Sequence, residues 1–566
     1  MKRPLLTELT LEEKIGQLLM GYQWDINRKS EVDPKIIRTW EEKKAVLEDF
    51  KFGSLWAQTG DGNRGTALNE ELNREKDFSD EFGAWIQAES DCYEKIPALT
   101  CLDAEREGAG TVFGDLTATC PPPVMGATND EELVYKMGAA IARELRCAGC
   151  NWRWTPVVDL CGRFTTSVLR SYAPHDPEKQ ARLALAHALG MQSEGVAATA
   201  KHFPGGGIVH GEGYRDAHFC PTQNAIPFEE WEKTQGKVFQ TLIDGGVYSI
   251  MISHAAFLAV DDSRVNGRPR PSTISKKVIT DLLKNKMGFK GVVVTDAIVM
   301  GALFQLLPYD ELLIEVVNAG NDIILGTFPQ AKEILINAVN SGKIEMSRID
   351  DACSRILDMK EKLGMFEDGY RLVKGKAEDI VPYTKELNME VARKGVTLMR
   401  DRNNIVPFDK NKVKNVTIIC STHADHFVEK LDVLKKEFED RGAVVTIKRR
   451  LVNNEELAAI NEKSDLIIYA VYVGPHEPMG PPSLYGEELK TYLYAFSSGK
   501  EKSIGVSFGY PYIHHDIMEN ADAFVNAYGW SPDVMKAFVE GVYGEIEFKG
   551  VFPMKEYGEN DTVAML

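Results

Sequence analysis

The sequence predicts an α/β protein built as a (β/α)8-like TIM-type barrel followed by a second α/β sandwich domain. Three observations carry this reading. The chain has 566 residues, whereas a single core stops growing at roughly 250–300, so two domains are expected. From about Pro97 to Leu325, short apolar or β-branched runs alternate with longer segments of helical period, as βα units do around a parallel sheet. A second alternation of the same kind follows a polar stretch near residue 380.

In chain order, the strand candidates of the first part are Ala98–Leu102, Trp154–Asp159, Ala197–His202, Tyr248–Ser253, Gly291–Thr295 and Asp322–Leu325. Helical stretches such as Pro177–Glu194 and Lys276–Lys284 lie between them, and the run is long enough for a barrel although eight strands are not all visible. Ile356, Leu357, Met359, Leu363 and Phe366 recur at helical spacing and close the barrel domain, expected over 1–367. Residues 368–390, polar and carrying Gly369, Gly375 and Pro382, read as a linker. The second domain, 391–566, has five strand candidates: Val416–Cys420, Ala443–Ile447, Leu466–Tyr472, Ser503–Ser507 and Ala523–Ala527. Their spacing is that of an open layered sheet.

Composition excludes several classes. Sixty-six basic against eighty-four acidic residues leave a net charge of −18, the wrong sign for a nucleic-acid binder. The opening residues are interrupted by Glu8, Glu12, Glu13 and Lys14, so they form no secretory apolar segment, and no later run suits a membrane span. The cytoplasm is the expected location. Nine cysteines are too sparse for a disulfide scaffold. Cys147 and Cys150 have half-site spacing but no second pair, so a buried structural role is expected, while His514 and His515 are expected to be solvated or structural and not metal ligands.

In parallel α/β folds the reactive groups collect at the carboxyl ends of strands, where only loops meet a ligand. Asp103, Asp159, Lys201 with His202, His254 and Asp296 all follow or end apolar runs. Asp296 closes Gly291-Val-Val-Val-Thr-Asp296 and is equally suited to capping the next helix. Lys201-His202-Phe-Pro-Gly205-Gly-Gly suits hydroxyl binding, or a salt-bridged core pair; the Gly-Lys-Ser/Thr order of a phosphate loop is missing.

Lys201-His-Phe-Pro-Gly205, together with Val294-Thr-Asp296 followed by Met300-Gly-Ala302, resembles the paired signature of glycoside hydrolase family 3. The likeness extends to Leu5–Leu19, Leu169-Arg170-Ser-Tyr172, Arg355–Phe366 and Gly395–Pro407, and so to most of the chain. It implies a retaining, exo-acting β-glycosidase, glucosidase-like or N-acetylglucosaminidase-like. Asp296 would be the nucleophile, with Asp103, Arg170, Lys201, His202 and His254 in the glycone pocket. Asp159 also matches a family position, either touching sugar or holding Arg170 or Lys201. Arg106 and Glu107 depart from the glycines that often follow the pocket aspartate.

Retaining hydrolysis needs a second group to protonate the leaving oxygen and then activate water. The family's N-acetylglucosaminidase branch uses Asp-x-His on the loop after the Lys-His-Phe-Pro-Gly strand, and Asp216-Ala-His218 has that form within a longer loop. Its glucosidases bring a glutamate from the second domain, for which Glu477 is the candidate. Ala297 after the nucleophile, where glucosidases often carry tryptophan, favours His218 supported by Asp216.

No cofactor or metal is expected, and the expected partner is a small glycoside or oligosaccharide. The alternatives are a glycoside phosphorylase of the same family, a non-catalytic sugar-binding protein on this fold, and a barrel lyase forming an imine on Lys201. The last requires a desolvated lysine of lowered pKa.

Overall fold

The computed structural model describes residues 2–22, 38–57, 79–93, 95–108, 113–163, 165–206, 217–474 and 483–556. Seven parallel strands form the first sheet in sequence order: β1 (Met20–Tyr22), β2 (Ser54–Trp56), β3 (Leu99–Leu102), β4 (Trp152–Arg153), β5 (Ala197–Phe203), β6 (Ser249–Ile252) and β7 (Val292–Thr295). Ile323 bridges Val294 of β7 and Ile324 bridges Leu19 beside β1, both in parallel sense, so segment 322–325 closes the ring. The barrel is therefore (β/α)8-like, with its eighth position held by isolated bridges.

Local chemistry explains the elements around it. The helix Leu11–Leu18 starts at a reciprocal cap, in which the Thr10 hydroxyl accepts from Glu13 N and the Glu13 carboxylate from Thr10 N. Pro177–Ser193 begins with proline in its first turn behind Asp176, which accepts from the amides of Glu178 and Lys179 at 3.0 Å each. β4 is shorter than the predicted Trp154–Asp159 and lies two residues earlier, because Pro156 has no N–H to continue the ladder. Only Val157 bridges to Lys201 beyond it.

The second sheet holds β8 (Thr397–Asp401), β9 (Asn415–Ser421), β10 (Val444–Arg449), β11 (Leu466–Val471), β12 (Ser503–Ser507) and β13 (Ala523–Asn526), in the order β8-β13-β12-β11-β9-β10. All pairs are parallel except β8–β13. Every residue of β11 and β12 is buried, as expected of central strands covered on both faces.

The stretch 368–390 is not an extended connector, since the helix Ala377–Gly395 occupies much of it. Val381, Thr384, Leu387, Asn388, Val391 and Ala392 are buried at helical spacing while the polar residues between them face outward. The polar composition that suggested a linker belongs to one face of this helix. It packs on the barrel helices Pro122–Thr128 and Glu131–Cys147 and on Pro532–Val542 of the second sheet's layer. One apolar cluster accordingly runs from Ile141 and Phe239 through Val391 to Val416 and Phe538. A second cluster, with Leu18, Trp152, Val294, Ile324 and Ile356, fills the barrel interior and the helices beneath. Each large aliphatic side chain so buried contributes about 1.5–3 kcal/mol.

All nine cysteines are free thiols. Cys147 and Cys150 are buried, and burial raises each thiol to about 12. They are apolar packing groups in this setting.

Candidate active site at the barrel mouth

The carboxyl ends of the strands deliver the site. Asp103 follows β3, Lys201 and His202 lie at the end of β5, His254 stands two residues after β6, and Asp296 follows β7. Arg170 arrives on the turn after Thr166–Leu169. Asp103, Lys201, Arg170, His202 and Asp296 converge there.

Lys201 is almost fully buried, and its Nζ donates to Asp103 Oδ1 at 3.0 Å and pairs with Glu105 Oε1. Arg170 Nη1 donates to the other Glu105 oxygen at 3.0 Å. Burial alone would lower Lys201, but the charges of Asp103 and Glu105 outweigh it and hold the ammonium well above its usual range. This is the opposite of what an imine-forming lysine requires. Burial, together with the neighbouring Glu105, pushes Asp103 up, whereas Lys201 and Arg170 overcome burial at Glu105 and pull it down.

Asp159 is buried and spends both oxygens on the β5 end. Oδ1 accepts from His202 N at 3.1 Å and Gly206 N at 2.8 Å, and Oδ2 meets His202 Nδ1 at 2.8 Å. Burial raises its pKa, but His202 and these donors outweigh that and leave it below the usual value. Asp159 thus holds His202, and not Arg170 or Lys201 as the resemblance allowed. The other ring nitrogen, His202 Nε2, stands 3.9 Å from Asp296 Oδ2.

Asp296 does not cap a helix. The helix that follows is Gly301–Phe304, with Met300 at its N-cap, and among the described residues Asp296 Oδ1 accepts from the neighbouring Ala297 N alone, at 2.8 Å. Among the described residues no lysine or arginine comes within ion-pair distance of its carboxylate, which is 23% exposed at the mouth. Burial would raise Asp296, but His202, His254, Lys201 and His218 together outweigh it and keep the carboxyl below its usual value. The group is ionised, accessible and not locked in a salt bridge.

His254 differs from its expected place in the glycone pocket. It is 1% exposed, with Nδ1 at 2.6 Å from Thr273 Oγ1 and Nε2 at 2.9 Å from the Ala297 carbonyl. Burial lowers its pKa; Nε2 faces a carbonyl, which can only accept, and so donates to Ala297, while Nδ1 and the Thr273 hydroxyl, which also reaches the Ser253 carbonyl at 3.1 Å, share the second hydrogen bond. Both nitrogens are consumed within the protein, and the ring braces the backbone just after Asp296.

His218 is exposed near the mouth. The Gly301 amide donates to its carbonyl at 2.8 Å and the Ala302 amide to the Ala217 carbonyl at 3.0 Å. The contact requires glycine at 301, where a Cβ would sit 2.6 Å from the Phe219 carbonyl oxygen. Asp216 and Glu477 lie outside the described residues.

Three further groups shape the site: Arg153 and Glu105, which escaped the sequence reading, and Arg106, which entered it only as a departure from the family's glycines. Arg153, fully buried on β4, donates to the carbonyls of Ala104 (Nε, 2.9 Å) and Glu105 (3.4 Å) and so fixes the Asp103 loop from behind. Burial brings its pKa down to about 10. Arg106 reaches the second domain at Tyr472 Oη, 3.5 Å away, and pairs with Glu107 at 3.0 Å. Glu105 lies two residues after Asp103, where its amide donates to the Asp103 carbonyl at 2.9 Å in a tight turn and both carboxylates meet Lys201.

The comparisons with known proteins bear on the family and the fold. The profile of the glycosyl hydrolase family 3 N terminal domain matches residues 10–359. A beta-N-acetylglucosaminidase/beta-glucosidase of Cellulomonas fimi is 26% identical over 510 residues, 82% of this chain and 85% of that protein. Among solved structures, a beta-glucoside phosphorylase superposes with a TM-score of 0.79 at 23% identity, covering 97% of this chain and 94% of its own. A family 3 beta-N-acetylglucosaminidase of Paenibacillus gives 0.74 at 24% identity, covering 97% and 99%. At these identities the structural matches speak for the fold, while the profile spans well over half of the sequence. The chain belongs to glycosyl hydrolase family 3.

Proposed function

We propose that the protein is a retaining, exo-acting β-glycosidase that removes terminal β-linked glucose or N-acetylglucosamine, with Asp296 as nucleophile. The observation that carries this is the ionised Asp296 carboxylate, which among the described residues meets no lysine or arginine and only the His202 ring at 3.9 Å, beside an array of fixed hydrogen-bonding groups, Asp103, Lys201, Arg170 and His202. A sugar ring seated there meets acceptors and donors on one side and the carboxylate at its anomeric carbon. Asp296 attacks that carbon, the bond to the leaving oxygen breaks, and the oxygen takes a proton from the acid/base. Water then attacks the glycosyl-enzyme, gives its proton to the same group and frees Asp296, so configuration is retained.

His218 is the acid/base in this reading, with Asp216 as its support. The anchoring of its backbone on Gly301, five residues after Asp296, favours it. A carboxylate partner would raise the histidine and fix its tautomer for proton transfer near neutrality. Glu477 is the rival. Ala297 in place of a bulky ring favours the N-acetylglucosaminidase-like form.

A second reading, phosphorolysis, is favoured by the fold-wide likeness to a beta-glucoside phosphorylase and by a histidine acid/base, which does not repel phosphate as a carboxylate would. A panel of aryl glucosides and N-acetylglucosaminides, assayed with and without inorganic phosphate, tests both. Hydrolysis yields free sugar at a rate independent of phosphate. Glycosyl phosphate as the main product would replace it with phosphorolysis, and no turnover of any glycoside would end both readings.

A further inference from the structure

We infer that Glu105 is a positioning residue of this site, which holds Lys201 and Arg170 against itself and so keeps the Lys201 ammonium off Asp296. The inference rests on the glycosidase reading above and adds a residue to it.

Glu105 is 13% exposed, and its two oxygens are each taken by a different cation, Oε1 by Lys201 and Oε2 by Arg170 at 3.0 Å. It therefore has little left for a sugar. Its neighbour Asp103 is 32% exposed and is bonded to Lys201 through Oδ1 at 3.0 Å, which leaves Oδ2 for substrate hydroxyls. Lys201 is 3% exposed and lies between these two carboxylates.

The consequence concerns the nucleophile. Lys201 is near enough to act on the charge of Asp296, yet neither Lys201 nor Arg170 forms an ion pair with it. A carboxylate paired to a buried ammonium or guanidinium gains a charge-assisted hydrogen bond, and loses nucleophilicity because that bond weakens as it attacks carbon. Glu105 supplies the competing partner. Arg153 keeps it in place by holding the Ala104 and Glu105 carbonyls from below.

Replacing Glu105 by glutamine keeps the shape but removes the charge. Lys201 and Arg170 are then undercompensated, and their field falls on Asp103 and Asp296, lowering both pKa values. For Glu105→Gln the expected result is a kcat at least about tenfold below wild type. The acid limb of kcat/KM should move to lower pH by about half a unit or more. Glu105→Asp keeps the charge but is one methylene short of holding both cations. It should lose kcat with its acid limb in place, and it carries the test if the glutamine variant does not fold.

Wild-type kcat/KM in either variant overturns the inference. So does a Glu105→Gln enzyme that loses activity while its acid limb stays put, since that is the behaviour of a merely structural ion pair. The parent reading is checked separately on the wild-type protein with the aryl glycoside panel. Inactivity there removes both ideas, whereas an active wild type with an indifferent Glu105 removes this one alone.

Discussion

At the scale of single residues, the site is governed by which groups are already paired. Asp159 holds His202 through a ring nitrogen and the backbone, so Asp159→Asn should free the imidazole and disturb the β5 end. We predict a loss of roughly 10–100-fold in kcat/KM, the usual cost of removing a group that orients a catalytic-site partner. Steady-state kinetics with folding checked by circular dichroism measures it, and an unaffected variant would contradict the assigned role. Lys360 makes a contrasting case far from the mouth. It is fully buried with Gln17 Oε1 at 2.6 Å, and burial lowers it from 10.5 to about 7. Between those values the unfolded chain binds more protons than the folded one, so stability rises with pH across this window and carries the full penalty below it. Lys360→Met should therefore raise stability below pH 7 by on the order of 1–4 kcal/mol and flatten the rise. Denaturant melts at pH 6 and pH 9 read this directly, and a methionine variant that is less stable at both would contradict it.

At the scale of elements, the loop that carries His218 is coupled to the segment after Asp296 by two backbone hydrogen bonds onto a glycine-led turn. Gly301→Ala would place a Cβ 2.6 Å from a carbonyl oxygen and should push the 217–219 segment away without touching Asp296. The expected signature is that of His218→Ala in milder form. Substrates with poor leaving groups lose far more than activated aryl glycosides, which need little protonation. Equal losses on both substrate types would separate this turn from acid/base placement. The same scale shows what was legible in the sequence. β3, β5, β6, β7, β9, β11, β12 and β13 stood out because each is a buried apolar run between turn residues. β1 and β2, three residues each, are too short to show periodicity. Asp322–Leu325 was expected as a strand and does close the ring, through single bridges, whereas the helix Ala377–Gly395 was hidden by the polar side it presents outward. Asp296, Lys201, His202 and Asp103 were legible because strand ends concentrate them, whereas Arg170, on the turn after Thr166–Leu169, was legible only through the family resemblance. The part played by Asp159, the inward turn of His254 and the clamp formed by Glu105 depend on which atoms meet in space, which spacing does not encode.

At the scale of the whole molecule, the barrel mouth is not walled by the barrel alone. Arg106 on the β3 loop meets Tyr472 just beyond β11, and Arg163 on the β4 loop donates to Asp516 at 2.9 Å. The helix Ala377–Gly395 is packed against both layers, so one apolar cluster joins the two sheets. The second domain thus borders the site and can restrict it to the ends of sugar chains, in keeping with an exo-acting enzyme. The proposed chemistry rests on one atom, the Asp296 carboxylate oxygen that is to bond with the anomeric carbon. Treating the protein with a fluorinated slow aryl glycoside, whose glycosyl-enzyme is long-lived, and mapping the adduct by peptide mass spectrometry tests this most directly. Stoichiometric labelling on Asp296 is expected, abolished in Asp296→Asn. A glycosyl adduct on any other carboxylate, or turnover surviving in Asp296→Asn, would contradict it.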